Sequence, residues 1–182
     1  MDILFPSEIV RRKKPNYCTQ HDYYSCGPTA ILNALKWVGV RDATMKKSHR
    51  FLCDFCFTST GEGGGTFPQE IDRVLRILAG THPFSVLRLK NMGIKSVTQH
   101  LMHPDKSLII NYYRHYSFWP TTDGKWYFGV NDHRAHGNDS KMIRVAAVTR
   151  KHFRRYCLRK SYPDWRPNHY HYPQIWVITR HE

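Results

Sequence analysis

Acidic residues are scarce in this chain: 14 Asp and Glu stand against 28 Lys and Arg, for a formal net charge of +14. A field of that sign attracts phosphates, acidic peptides or anionic headgroups; it bears on partners and not on the fold. Cysteines are few and odd in number, five in all (Cys18, Cys26, Cys53, Cys56 and Cys157). They do not make a disulfide framework, and a reducing compartment would keep them as thiols. No run of about 18 apolar residues exists, so no membrane-spanning helix is expected. The first residues, through Arg11-Arg12-Lys13-Lys14-Pro15, lack a basic stretch followed by an apolar one, so no secretory signal is expected and a cytoplasmic location is the default. There is no internal repeat, no low-complexity tract and no linker. A single domain over 1–182 is expected, with a basic arm at 1–16 and a core over about 17–180.

What is present is globular in character: 41% hydrophobic and 14% aromatic residues, enough for one proper core. In 26–38, Ala30, Ile31, Ala34, Leu35 and Val38 recur at helical spacing, and Pro28 suits the first turn, where its missing N–H costs nothing. This segment reads as the central helix, its small Ala30 and Ala34 allowing close neighbours. After the Gly-rich stretch 61–65, a second helix is expected over about 67–79, with Thr66 and Gln69 at capping-box spacing and Ile71, Val74, Leu75 and Leu78 as its buried face. A short helix is expected near 94–102. The second half turns to strands at 107–113, 115–119, 125–130, 143–148 and 174–179, with Asp123-Gly124 as a hairpin turn. A basic helix is expected from Thr149. Helices first and antiparallel strands later argue for an α+β domain with two lobes.

The sharpest local signal runs from Gln20 to Cys26-Gly27-Pro28. A thiolate at a helix N-terminus meets the positive end of the dipole, which lowers its pKa and supplies a nucleophile near neutral pH. Gln20, six residues upstream, has an amide that could join the Cys26 N–H in an oxyanion hole. The bland alternative is that Cys26 is a small buried residue at a helix start. A thiol protease also needs an imidazole and a group to orient it. The chain has 12 His, so position must choose among them. If strands 115–119 and 125–130 pair across the Asp123-Gly124 turn, His115 and Asp132 become neighbours, and the carboxylate can hold the imidazole tautomer. Asn131 is the competing orienter.

These elements, in order, resemble the papain-like double-glycine leader peptidases, the bacteriocin-processing type, and their stand-alone relatives. Gln20 with Cys26-Gly27-Pro28-Thr29-Ala30 resembles the family's Gln and Cys-Gly-Pro-Ala box. Gly64-Gly65-Thr66-Phe67-Pro68 resembles its Gly-Thr-(Ser/Thr)-Pro segment, strand 107–113 with His115 the strand that delivers its catalytic His, and Val130-Asn131-Asp132 its Asn-Asp-Pro box. Thr149 to Phe153 resembles the helix that follows. The match spans about 17–179. The resemblance implies a papain-like two-lobed fold, an N-terminal helical lobe around the nucleophile helix and a C-terminal antiparallel sheet. It implies Cys26 as nucleophile, His115 as general base and acid, Asp132 as orienter and Gln20 as oxyanion donor. It also implies a hydrolase of the thiol protease type, cleaving after small residues such as Gly-Gly and needing no cofactor. The sequence departs from the family in the Pro120 break after a short strand and in His133 where the family has Pro.

Two further features were weighed. Cys53 and Cys56 form a single Cys-x-x-Cys pair; a structural zinc site takes four ligands, and nothing in the spacing of His49, His169 or His171 demands one, so no metal is expected. Arg150, Lys151, Arg154 and Arg155 crowd one expected helix, either as a solvated face or as a surface for nucleic acid or an acidic partner, with Tyr156, Trp165 and Trp176 available for stacking. A basic peptidase of this kind would fit maturation of a viral or bacterial precursor, and would be virion-associated if viral. The alternative from a different class is a catalytically silent papain-like module that binds a leader peptide or nucleic acid through the basic face.

Overall fold

The computed structural model describes residues 17–18, 20, 22–40, 46–61, 64–90, 103–112, 115–122, 125–128, 143–144 and 174–181. The expected helices at 94–102 and from Thr149 lie outside them, as do Asn131, Asp132, Arg150, Lys151, Arg154 and Arg155. None of the described helices is long and apolar enough to cross a membrane.

Helix α1 spans Cys26–Val38, and every residue in it except Lys36 is buried. A helix buried all round is a core helix rather than a surface one, as Ala30 and Ala34 required. Its first intrahelical bond runs from the Thr29 N–H to the Ser25 carbonyl at 3.0 Å, so Pro28 does fall in the first turn, among amides that have no partner within the helix. It ends at Gly39, whose φ of 90° lets its N–H return to the carbonyls of Leu35 and Lys36, a left-handed stop open to glycine at little cost.

Helix α3 spans Pro68–Ala79, with Ile71, Val74 and Leu75 buried. The expected capping box is not formed. The residue before the helix is Phe67, which makes no side-chain cap, and the Thr66 hydroxyl instead meets the Thr58 hydroxyl at 2.8 Å. Pro68 opens the helix one residue later than the box requires, which puts Thr66 outside capping position. Helix α2, Lys46–Phe55, was not anticipated. It carries few apolar residues, and its contribution to the core is Leu52, followed by Cys56 just beyond its end, while Phe51 is exposed.

Strands β1 (Phe84–Lys90), β2 (Lys106–Tyr112), β3 (His115–Trp119) and β7 (Gln174–Arg180) form an antiparallel sheet in the order β1-β7-β2-β3. The last strand of the chain thus lies inside the sheet, between β1 and β2. With three helices beside it, the described chain is an α+β domain. Both faces of the sheet are buried. Phe84, Ile109, Tyr116, Phe118, Trp176 and Ile178 join the α1, α2 and α3 side chains in one cluster. Leu108, Ile110, Trp119, Ile175 and Val177, alternating with them, are buried on the other side. Burial on two faces is why β2 and β7 read as unbroken apolar runs.

Strands β4 (Thr121–Thr122), β5 (Lys125–Phe128) and β6 (Ile143–Arg144) form a second small sheet. Thr121 pairs with Trp126 and Thr122 with Lys125, while Asp123 and Gly124 lie outside the described residues. The pairing of 115–119 with 125–130, expected from sequence, is not the one formed within the described residues. β3 pairs with β2, and β5 pairs with β4 and β6. Pro120 separates β3 from β4 and ends its ladder.

α1 and α3 come close together at Gly27. A Cβ there would lie 2.8 Å from Ile71 Cδ1 and 3.1 Å from Thr66 Cβ. Gly27→Ala should therefore cost about 1–3 kcal/mol by overpacking. Ile71→Val, which removes the offending methyl, should recover part of that loss in the double variant, as read by denaturant midpoints. Strictly additive losses would contradict the close approach.

Candidate active site

The chain ahead of α1 is fastened to it before it reaches Cys26. The Asn33 side chain accepts from the Cys18 N–H at 2.7 Å and donates to the Cys18 carbonyl at 3.0 Å. The Tyr17 ring lies 5.7 Å from that of Phe118 on β3. From Cys18 the chain passes Gln20 and turns at Asp22. One carboxylate oxygen of Asp22 accepts from the N–H groups of Tyr24 and Ser25, at 3.0 and 2.7 Å. This is the work of an Asx turn. The Ser25 hydroxyl, at the usual capping position, makes no cap and is buried without a hydrogen-bond partner. Asp22, not Ser25, thus shapes the entrance to the helix.

Cys26 is the first residue of α1 and is 3% exposed. Three backbone amides, of Tyr116, Gly27 and Cys26 itself, favour its thiolate form. The amides of Gly27 and Cys26 are the helix N-terminus foreseen from the sequence. The Tyr116 amide comes from the edge of β3, so the strand that begins with His115 is brought against the nucleophile candidate. The expected fall in thiol pKa does not follow. Burial pushes the Cys26 thiol up, to about 11, against the three amides, and the Asp22 carboxylate pushes in the same direction as burial. Desolvation outweighs the dipole because almost no water reaches the sulfur.

His115 is 8% exposed and opens β3, opposite Tyr112. Tyr116 and Phe118 point into the cluster with α1; by strand alternation His115 and Ser117 leave on the opposite face. The imidazole thus leaves the strand on the face away from the cluster that contains Cys26. Gln20 is half-buried. Its amide nitrogen donates to the Asp22 carbonyl, and its oxygen is buried without a partner. The Gln20 amide is therefore tied to the turn that leads into α1, with one of its two N–H bonds uncommitted to that contact. Asp132 and Asn131 lie outside the described residues.

The structure adds two residues that sequence reasoning did not single out, Asp22 and Tyr116, and makes Thr66, expected as a cap, a wall beside Gly27. Asp22 had a local signal, an acidic residue four positions before a helix start. Tyr116 had none, because its role depends on pairing across ninety positions of chain.

Cys53 and Cys56 are free thiols. Burial pushes them up, to about 11 and about 12. His49 lies between α1 and this pair, with Nε2 3.0 Å from the Thr29 hydroxyl and Nδ1 4.0 Å from Cys53 sulfur. Among the described residues no group of three or more His, Cys, Asp or Glu could hold a metal ion.

No protein-family model, no curated protein and no solved structure matches the chain.

Asp22→Asn keeps an oxygen for the Tyr24 and Ser25 amides while removing the charge that opposes ionisation of Cys26. The Cys26 titration midpoint, followed by thiolate absorbance against a Cys26→Ser blank, should move down, and the fold should persist. An unmoved midpoint would show that the carboxylate is too well screened to act on the sulfur.

Proposed function

We propose that the chain is a papain-like cysteine endopeptidase of two lobes, with Cys26 as nucleophile and His115 as general base and then general acid. The single observation that carries the reading is the meeting of Cys26, at the start of a buried helix, with the β3 edge one residue from His115. Nucleophile and base come from elements far apart in sequence, as an acyl-transfer site requires.

In the proposed cycle Cys26 sulfur attacks the scissile carbonyl and His115 takes the thiol proton. A thiol held protonated by burial needs such a base, since little thiolate stands ready at neutral pH. The oxyanion would be met by the Cys26 amide and the Gln20 side chain. The amine leaves with the proton returned by His115, giving a Cys26 thioester, and water, deprotonated by the same imidazole, releases the acid. Asp132, or in its place Asn131, would orient the ring. Small residues such as Gly-Gly before the cleaved bond follow from the resemblance in the Cys26, Thr66 and His115 segments. The excess of 28 basic over 14 acidic residues supports an acidic or nucleic-acid partner, with Arg150, Lys151, Arg154 and Arg155 as its contacts, in maturation of a viral or bacterial precursor.

A second reading, a silent binding module on the same fold, draws on two observations: the thiol pushed up to about 11 and the Gln20 amide bonded to the Asp22 carbonyl. A peptide library whose new termini are read by mass spectrometry separates the two. Cleavage should occur after Gly or other small residues and vanish in Cys26→Ala. Equal cleavage by wild type and Cys26→Ala, with ligand capture retained and falling steeply with salt, would favour the silent module.

A further inference from the structure

Helices α2 and α3 meet at a row of rings that the core leaves open to solvent. The Phe51 and Phe55 rings of α2 stack with centroids 5.3 Å apart. The Arg73 guanidinium of α3 lies 5.1 Å from the Phe55 ring and 4.9 Å from that of Phe57, just past the end of α2. Arg73 is fixed there, since its Nε donates to Glu70 at 2.7 Å and a terminal nitrogen donates to the Phe55 carbonyl. The order is Phe51, Phe55, Arg73, Phe57, and the two end rings are open, Phe51 58% and Phe57 70% exposed. A further exposed ring, Phe67, stands at the head of α3. Phe57 is held out by a strained backbone. Its N–H returns to the Asp54 carbonyl, and the Thr58 N–H to that of Cys53, the left-handed helix stop that glycine usually supplies. Phe57 makes this stop with φ of 48°, and no other described residue apart from glycine has a positive φ. Bulky side chains rarely adopt that conformation.

We propose that this row is a docking surface for single-stranded nucleic acid, with the open faces of Phe51 and Phe57 as platforms on which bases stack and the exposed Arg50 beside Phe51 available to phosphates. Charge selects the class of partner. At +14 the chain repels a second copy of itself and draws a polyanion. The local balance has the same sign, with Lys46, Lys47, Arg50 and Arg73 against Asp54 and Glu70. Shape selects within the class. Open ring faces beside a fixed guanidinium suit flat rings, and among polyanions nucleic acids carry these. Unpaired bases present such faces, whereas a duplex keeps them against its own stacked neighbours. Strained backbone is retained where the side chain it places has a use, and a ring as exposed as that of Phe57 has little use in the core. The surface is separate in sequence from the Arg150, Lys151, Arg154 and Arg155 segment, and the inference stands whether or not Cys26 is a nucleophile.

The test is the fluorescence anisotropy of a labelled single-stranded oligonucleotide of mixed sequence, titrated with the full chain as wild type, Phe51→Ala and Phe57→Gly. Glycine at 57 removes the ring and relieves the left-handed backbone together, so Tm should hold or rise while binding falls. Each substitution should weaken binding about tenfold, as loss of a stacking platform does, and wild-type binding should fall with salt. The same sequence as a duplex, and inorganic polyphosphate, which has no bases, should bind more weakly and be indifferent to both substitutions. Equal affinity of wild type and both variants for the single strand would overturn the inference, as would polyphosphate that competes as well as the oligonucleotide. Loss of binding in Phe57→Gly only alongside a fall in Tm would make the ring structural and contradict it. Ring-dependent binding to vesicles of anionic phospholipid, with none to the oligonucleotide, would overturn it in favour of a membrane surface.

Discussion

The constraint on which the rest of this structure depends is the burial of the N-terminus of α1 against the edge of β3. A helix start leaves amides without intrahelical partners, and burying one away from water is costly unless something fills the need. Here two devices do so. Asp22 takes the amides of the entering turn, Tyr24 and Ser25, and the amides of Cys26, Gly27 and Tyr116 favour the thiolate of Cys26. The absence of a side chain at Gly27 lets Thr66 and Ile71 close over the same spot. The place in the fold that most needs an acceptor thus coincides with the place of the proposed nucleophile.

Two opposing effects meet at that sulfur. Backbone amides stabilise a thiolate; exclusion of water and the nearby Asp22 carboxylate oppose it, and the opposing effects prevail in the free protein. Under the proposed reading, a resting thiol needs a base before it reacts, and the His115 imidazole, rather than the helix dipole, would be the decisive group. Cys53 and Cys56 share the raised pKa through burial but have no comparable set of backbone amides.

Much of this was legible in the chain. The spacing of Ala30, Ile31, Ala34 and Leu35 gave α1 in full, and the apolar runs at 107–113 and 174–179 gave β2 and β7, because burial on one or two faces writes itself into local pattern. α2 and β1 were not legible. α2 offers the core little beyond Leu52 and Cys56, and in β1 Leu87 is half-exposed while Arg88 lies against Trp176, so neither shows a clean period. The capping box at Thr66 was a spacing without the geometry to use it, since Pro68 begins the helix. Register was the least legible property. Nothing local to 115–119 indicates that its ladder runs with β2, or that β7 enters between β1 and β2, because those choices are made by contacts between distant strands. Of the site, Cys26, Gly27 and His115 could be found by residue type and position. Asp22 and Tyr116 act through where the backbone carries them.

The central claim is that His115 activates Cys26, and the rate of Cys26 alkylation as a function of pH in wild type and His115→Ala tests it most directly. The account predicts that wild-type Cys26 reacts at neutral pH faster than a thiol pushed up to about 11 would react unaided, and that His115→Ala slows it there by about a hundredfold, as loss of a general base should. Cys26 reacting as an ordinary thiol, with His115→Ala changing nothing, would contradict it.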